Sequence, residues 1–205
     1  MAQELKKLKI VALFGMVFVG VLAFTLLLGH EWRRSHPVVY PSVVPAGQWK
    51  RFTSDEGRFS IRFPGRPETT NVVLDIFTNY SITQPCFFVW ADRQTEYAVN
   101  YADYPKALQK NLEKLGPQKQ FDLSQAAVAA AFGKIVSQRD IKFRDFPGRE
   151  FEFIAGGKAN FSGRVRLIVV NQRLYQIMVI FLTRNPHPDD FKVFFASFSI
   201  PKSRN

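Results

Sequence analysis

The chain has 205 residues, is 46% hydrophobic and 22% charged, and carries a formal net charge of +11. These values exclude a disordered or collagen-like chain, and the single cysteine, Cys86, excludes an intrachain disulfide. Five of the 28 basic residues and two of the 17 acidic ones precede Ser35, which leaves +8 on the remainder and favours anionic partners: lipid headgroups, nucleic acid or acidic protein.

Ile10–Gly29 is an uninterrupted run of 20 uncharged, mostly apolar residues. As a helix it spans about 30 Å, the hydrocarbon thickness of a bilayer. A cleaved signal peptide has a shorter apolar core, about 7–15 residues, followed closely by a small-x-small site. "LLLGHEWRR" offers no such site. The expectation is an uncleaved, single-pass anchor at residues 10–29. Lys6, Lys7 and Lys9 precede it and Arg33 and Arg34 follow. The lysines favour a cytoplasmic tail at residues 1–9 and a C-terminal domain outside the cytoplasm, at the cell membrane. Prolines at 37, 41 and 45 then forbid a helix, so residues 30–46 read as a semi-rigid stalk of up to about 50 Å.

Residues 47–205 form the expected extracytoplasmic domain. In "GRFSIRF", Phe59, Ile61 and Phe63 alternate with Arg58, Ser60 and Arg62, the pattern of a half-buried strand. Tyr97, Val99 and Tyr101 in "EYAVNYAD", and Phe151 and Phe153 in "REFEFI", repeat it. "GRVRLIVV" and "RLYQIMVIFL" are long and apolar, and the connections "AGGKAN" and "NQR" have hairpin lengths. Leu108, Leu112 and Leu115 make one helical stripe in Pro105–Leu115. Asp122 is placed to cap "LSQAAVAAAF" ahead of Gly133, and Asp189 or Asp190 to start "FKVFFASF". The fold class is therefore α+β, a largely antiparallel sheet with helices packed on it, preceded by one transmembrane helix.

The tetrapeptide FPGR occurs twice, at Phe63–Arg66 and Phe146–Arg149. Pro followed by Gly suits the centre of a type II turn, and neither copy has the further glycines and following helix of a phosphate loop. Both copies are expected to be turns.

The order "FSIRFPGRP", "YAVNYADYP", a helix ending in "GK", "FPGREFEF", "RLYQIMV" and "FFASFSI" resembles a group of bacterial membrane-anchored or secreted proteins similar to the PsbP/Mog1-like α/β/α sandwich. The resemblance covers residues 49–200 and lies in turns, strand faces and a terminal helix. It implies that fold and a protein-binding, accessory role.

Chemistry-bearing motifs are few. His30 and His36 lie in the stalk and His187 in a proline-flanked loop, without Cys or carboxylate at metal-ligand spacing. There is no G-x-S-x-G, H-E-x-x-H, P-loop or G-x-G-x-x-G, so no catalytic, cofactor or metal site is expected. Lys106, Lys110 and Lys114 form a cationic stripe opposite the leucines, either a solvated face or a contact for an anionic surface. Arg164 and Arg166 share a strand face, as an anion site or as ion-pair partners of Glu152 and Glu150. If "AGGKAN" closes a hairpin, burying Phe151 and Phe153 with Val165 and Leu167 requires opposed residue numbers to have an even sum. A sum of 316 sets Glu152 against Arg164 and Glu150 against Arg166. The aromatics lie on apolar faces and are not interleaved with basic residues, so nucleic-acid binding is not expected. The leading function is a membrane-tethered, non-catalytic interaction domain with a protein partner; the alternative is a small-ligand or lipid-binding domain.

Overall fold

A computed structural model describes residues 44–77, 80–104, 106–155, 161–183 and 186–201. The expected tail and membrane helix, and the stalk up to residue 43, lie outside them. Among the described residues no helix is long and apolar enough to cross a membrane. The elements are β1 (Lys50–Ser54), β2 (Phe59–Phe63), β3 (Glu68–Phe77), β4 (Tyr80–Trp90), β5 (Thr95–Asp103), α1 (Lys106–Phe132), β6 (Gly133–Phe143), β7 (Phe146–Ala155), β8 (Phe161–Val170), β9 (Arg173–Leu182) and α2 (Pro188–Ser197). β1 and β2 pair with each other, and the remaining strands form a seven-stranded sheet in the order β3-β4-β5-β9-β8-β7-β6. Every pairing is antiparallel.

Both faces of this sheet are covered. β5 is buried everywhere except Asp103, and β9 from Leu174 to Phe181. On one face Tyr97, Val99, Tyr175 and Ile177 pack under the β1–β2 hairpin and α2, which contribute Phe59, Ile61, Phe63, Phe191 and Phe194. Rings meet edge to face there: Tyr97 lies 5.0 Å from Trp49 and 5.0 Å from Phe194 between centroids. Such pairs add about 0.5–1.5 kcal/mol each to their burial. On the other face Ala98, Met178, Val165, Phe151 and Phe153 pack against Phe121, Leu123 and Val128 of α1. Val44 and Ala46, from the end of the proline-rich stretch, pack on the aromatic face, and the Trp49 indole donates to the Val44 carbonyl at 2.9 Å.

α1 is two helical segments divided at Gly116, whose φ of 71° and ψ of 167° are not helical. Pro117 opens the second segment, where a missing N–H costs nothing because first-turn amides have no intrahelical partner. The helix therefore starts before Asp122, which is not the expected cap. Asp122 instead accepts from Arg149. In α2, Pro188 occupies the first turn with Asp189 and Asp190, as the dipole favours.

The two FPGR copies are not type II turns. After β2 the chain bends at Pro64–Gly65, but Gly65 lacks the positive φ that such a turn requires; among the described glycines only Gly116 and Gly133 have it. The second copy lies inside β7. Pro147 pairs only with Lys142, because pairing to β8 begins at Gly148, so its missing N–H is tolerated at this strand end. Gly148 is required by close approach: a Cβ there would lie 2.7 Å from the Leu167 carbonyl oxygen. The actual turn is Arg144–Asp145.

Arg149, the last residue of that copy, fastens α1 to the sheet. Its side chain is 8% exposed. It donates to Asp140 at 2.8 Å, Asp122 at 2.7 Å and Gln118 at 2.8 Å, and its guanidinium lies 5.6 Å from the Phe121 ring centroid. Burial disfavours the charge, but the bonds to Asp122 and Asp140 outweigh it and raise the pKa. Arg149→Lys cannot reach these acceptors together. It should lower stability by about 2–4 kcal/mol in urea unfolding, the range for a broken buried ion pair with half-exposed partners; a loss under about 0.5 kcal/mol, the surface-substitution range, would remove Arg149 from this role.

Candidate functional site

The expected register is present. β7 and β8 pair Glu152 with Arg164, Glu150 with Arg166 and Phe151 with Val165. Arg164 reaches Glu152 at 2.8 Å, and Arg166 donates to Glu150 at 2.7 Å. β6 extends the row, since Arg139 donates to Glu150 at 2.8 Å. Arg166 also donates to the Phe195 carbonyl near the end of α2 at 2.7 Å, satisfying an acceptor that the helix leaves open. The ladder lines an open groove of about 470 Å³ beside α2. Arg164 and Arg166 are thus ion-paired, and Arg166 ties α2 to the sheet. Of the lysine stripe, Lys106 and Lys114 are exposed, and the side chain of Lys110 lies outside the described ones.

A second groove, of about 880 Å³, lies at one end of the sheet. Three turns meet there: Asp55–Arg58 between β1 and β2, Arg144–Asp145 between β6 and β7, and Asn171–Gln172 between β8 and β9. Its apolar lining includes Tyr104, Phe146 and Tyr175, and its cations are Arg58, Arg144 and Arg173. Arg173 organises the site. It donates to Asp103 at 2.6 Å and to the Glu56 carbonyl at 2.9 Å, and its guanidinium lies 4.3 Å from the Tyr101 ring centroid. Its pKa is raised, burial being outweighed by the Asp103 bond. The Tyr175 hydroxyl donates to the Gly57 carbonyl at 2.8 Å, so β9 fixes the β1–β2 turn from two residues. Residues of α1's first segment, Gln109, Glu113 and Gly116, share an adjoining pocket with Asn171 and Gln172. Lys106 and Lys114 therefore belong to this same end.

The chain joins the domain at the other end. Val44 and Trp49 share a small pocket with Ala91, Asp92, Thr95 and His187. Thr95 begins β5 and Asp103, in the large groove, ends it. At about 3.4 Å per residue the two ends are about 27 Å apart.

Sequence reasoning passed over this groove because its residues are scattered through turns. The readable signal was arginine where a short turn calls for Asn or Gly, in "EGRF" and "FRDF". It also passed over three buried amides on the α1 face of the central strands. Gln84, Asn100 and Gln176 are at most 1% exposed, and their side-chain amides have no hydrogen-bond partners. Asn100 and Gln176 are directly opposed, and Asn100 also pairs with Cys86. Cys86 is fully buried, and burial, with a contribution from Glu96, pushes its thiol up, which makes it inert. Among the described residues no cluster of three or more His, Cys, Asp or Glu is placed to hold a metal ion.

No family model and no curated protein matches the chain in sequence. Solved structures do match in shape. Cyanobacterial PsbP (CyanoP) from Synechocystis aligns at a TM-score of 0.54 with 12% identity, over 81% of this chain and 100% of that one. The fold is PsbP-like. A protein from Bacteroides thetaiotaomicron aligns at 0.46 with 9% identity, over 77% of this chain and 50% of that one, too distant to carry any argument. At these identities the PsbP likeness concerns the arrangement of strands and helices, and the groove residues stand on this chain's own geometry.

The ladder of this PsbP-like domain sets the Glu150 carboxylate between Arg139 and Arg166. Burial raises the Glu150 pKa, but the bonds from Arg139 and Arg166 lower it more, and the net shift is downward from the ordinary 4.5. A depressed carboxyl pKa contributes stability that is present above its unfolded value and lost as pH falls through the folded one. Glu150→Gln should cost about 1–3 kcal/mol at pH 7 by thermal or urea unfolding. The gap to the native protein should close as pH falls below 4.5. A gap that stays constant down to about pH 2 would show that the pairing carries no such stability.

Proposed function

We propose that this chain is a membrane-tethered, non-catalytic interaction domain. Residues 10–29 cross the membrane once, the proline-rich segment spaces the domain from it, and the domain outside the cytoplasm presents its turn end to a partner protein. The observation that carries this reading is the opposition of the two ends. Val44 enters beside Asp92 and Thr95, whereas the large groove opens beyond Asp103. An anchor attached at the first end turns the second toward whatever stands away from the bilayer. Lys106 and Lys114 share the distal end, so on this reading they face the partner and not lipid headgroups. The PsbP-like fold supports an accessory role, which the sequence resemblance also implies. The titratable groups at the groove support it too, since Arg173, Asp103 and Tyr175 are committed to holding turns in place.

Photo-crosslinking in native membranes tests the reading. A photo-reactive side chain replacing Asp145 or Gln172, both in the groove, should trap one discrete partner band, and the same group replacing Arg93 at the opposite end should not. No band from either groove position, with a small molecule retained by the full chain in native mass spectrometry, would move the function beneath α1. There the unpartnered amides of Gln84, Asn100 and Gln176 favour a small polar ligand.

A further inference from the structure

Three described residues other than glycine have positive φ: Arg58 at 51°, Arg144 at 54° and Asn171 at 56°. All three lie in turns that line the same groove. Asn171 is unremarkable, because asparagine is a favoured residue in the left-handed region. It is the first residue of the two-residue turn between β8 and β9. Arg144 holds the equivalent place between β6 and β7, and Arg58 closes the β1–β2 turn, its amide donating to the Asp55 carbonyl at 3.2 Å. Folding alone favours Asn or Gly at all three positions.

Little among the described residues repays the two arginines: the Arg144 guanidinium lies 5.8 Å from the Phe143 ring centroid, an exposed contact worth about 0.5–1 kcal/mol. Arg58 and Arg144 are exposed, and among the described residues neither makes an ion pair. The neighbouring cation is different, since Arg173 is bonded to Asp103, which leaves Asp145 as the one other carboxylate lining the groove. The two arginines share the groove lining with apolar side chains that include Phe146 and Tyr175. A guanidinium takes a carboxylate through two parallel hydrogen bonds, and the apolar lining accepts the apolar part of a chain.

We infer that this groove takes an acidic segment of a partner protein, with Arg58 and Arg144 as the residues that bind its carboxylates. The inference rests on the partner-binding reading above and names the partner's chemistry. Its place away from the chain's point of attachment favours protein carboxylates over the headgroups of the anchoring membrane.

The test uses the full chain in nanodiscs of neutral phosphatidylcholine and a fluorescent deca-glutamate peptide, followed by anisotropy. Deca-glutamate should bind, more weakly as salt rises, and deca-glutamine should not. The double variant Arg58→Asn, Arg144→Asn should bind about tenfold more weakly, as expected for lost charge-assisted bonds. Its thermal midpoint should be equal to or above that of the native protein, because asparagine suits both backbones. Lys134→Asn with Lys142→Asn, an equal loss of charge from β6, should leave binding within about twofold. Unchanged affinity in the arginine variant, or an equal loss in the lysine variant, overturns the inference. So does capture of the nanodisc-held chain by phosphatidylglycerol vesicles in the absence of peptide binding, which would assign the groove to lipid. Crosslinking from Gln172 without deca-glutamate binding would overturn the acidic assignment alone; loss of both would overturn the partner reading with it.

Discussion

Two central strands, β5 and β9, are buried on both sides, and the rest of the molecule is arranged to make that possible. A strand exposes alternate side chains to opposite faces, so a sheet of this kind needs two separate covers. One is α1; the other is the β1–β2 hairpin with α2. The register follows from the same requirement. A slip of one residue between β7 and β8 would turn Phe151 and Phe153 out of the core and bring Glu150 and Glu152 into it. The even register instead lines up Arg139, Glu150 and Arg166 along the margin of the second cover, where the apolar face gives way to solvent. Charge begins where α2 ends, and Arg166 joins the two by bonding both Glu150 and the Phe195 carbonyl.

With both faces occupied, the margins and the ends of the sheet are what remain for function. β6 forms one margin, and a bulge between Ile135 and Ser137, with Lys134, Arg139 and Lys142, discourages another strand from adding to it. The ends differ from each other. One receives the chain at Val44; the other collects three turns, two exposed arginines and the start of α1. Arg173 and Tyr175 make this second end rigid by fixing the β1–β2 turn from β9. A rigid frame carrying exposed, strained cations is an arrangement suited to recognition, since the cost of ordering the site is met during folding.

Much of the fold was legible in the residues. The even register of β7 and β8 followed from the parity of Phe151, Phe153, Val165 and Leu167, and the aromatic face of α2 from the spacing of Phe191, Phe194 and Phe195. β1, β3, β4 and β6 were not named from sequence. β6 carries Lys134, Arg139, Asp140 and Lys142 on a mostly exposed strand, which leaves no clear period of two. The FPGR reading failed because the same dipeptide serves two needs: Gly148 answers to the Leu167 carbonyl beside it, a partner 19 positions away in sequence. Arg149 was equally hidden, since only the docking of α1 brings Asp122 and Gln118 to it. The candidate groove was the least visible part. Its cations are distributed over turns at 58 and 144 and a strand start at 173, and topology alone brings them together.

The central claim is that the arginine groove faces away from the bilayer. Cys86 is buried and inert, so single cysteines introduced by Arg93→Cys and Gln172→Cys can each be labelled selectively with a fluorophore in the full chain. In bilayers containing lipids with quenching headgroups, the label at position 93 should be quenched more strongly than the label at 172. Equal quenching, or stronger quenching at 172, would place the groove against the membrane and contradict the account.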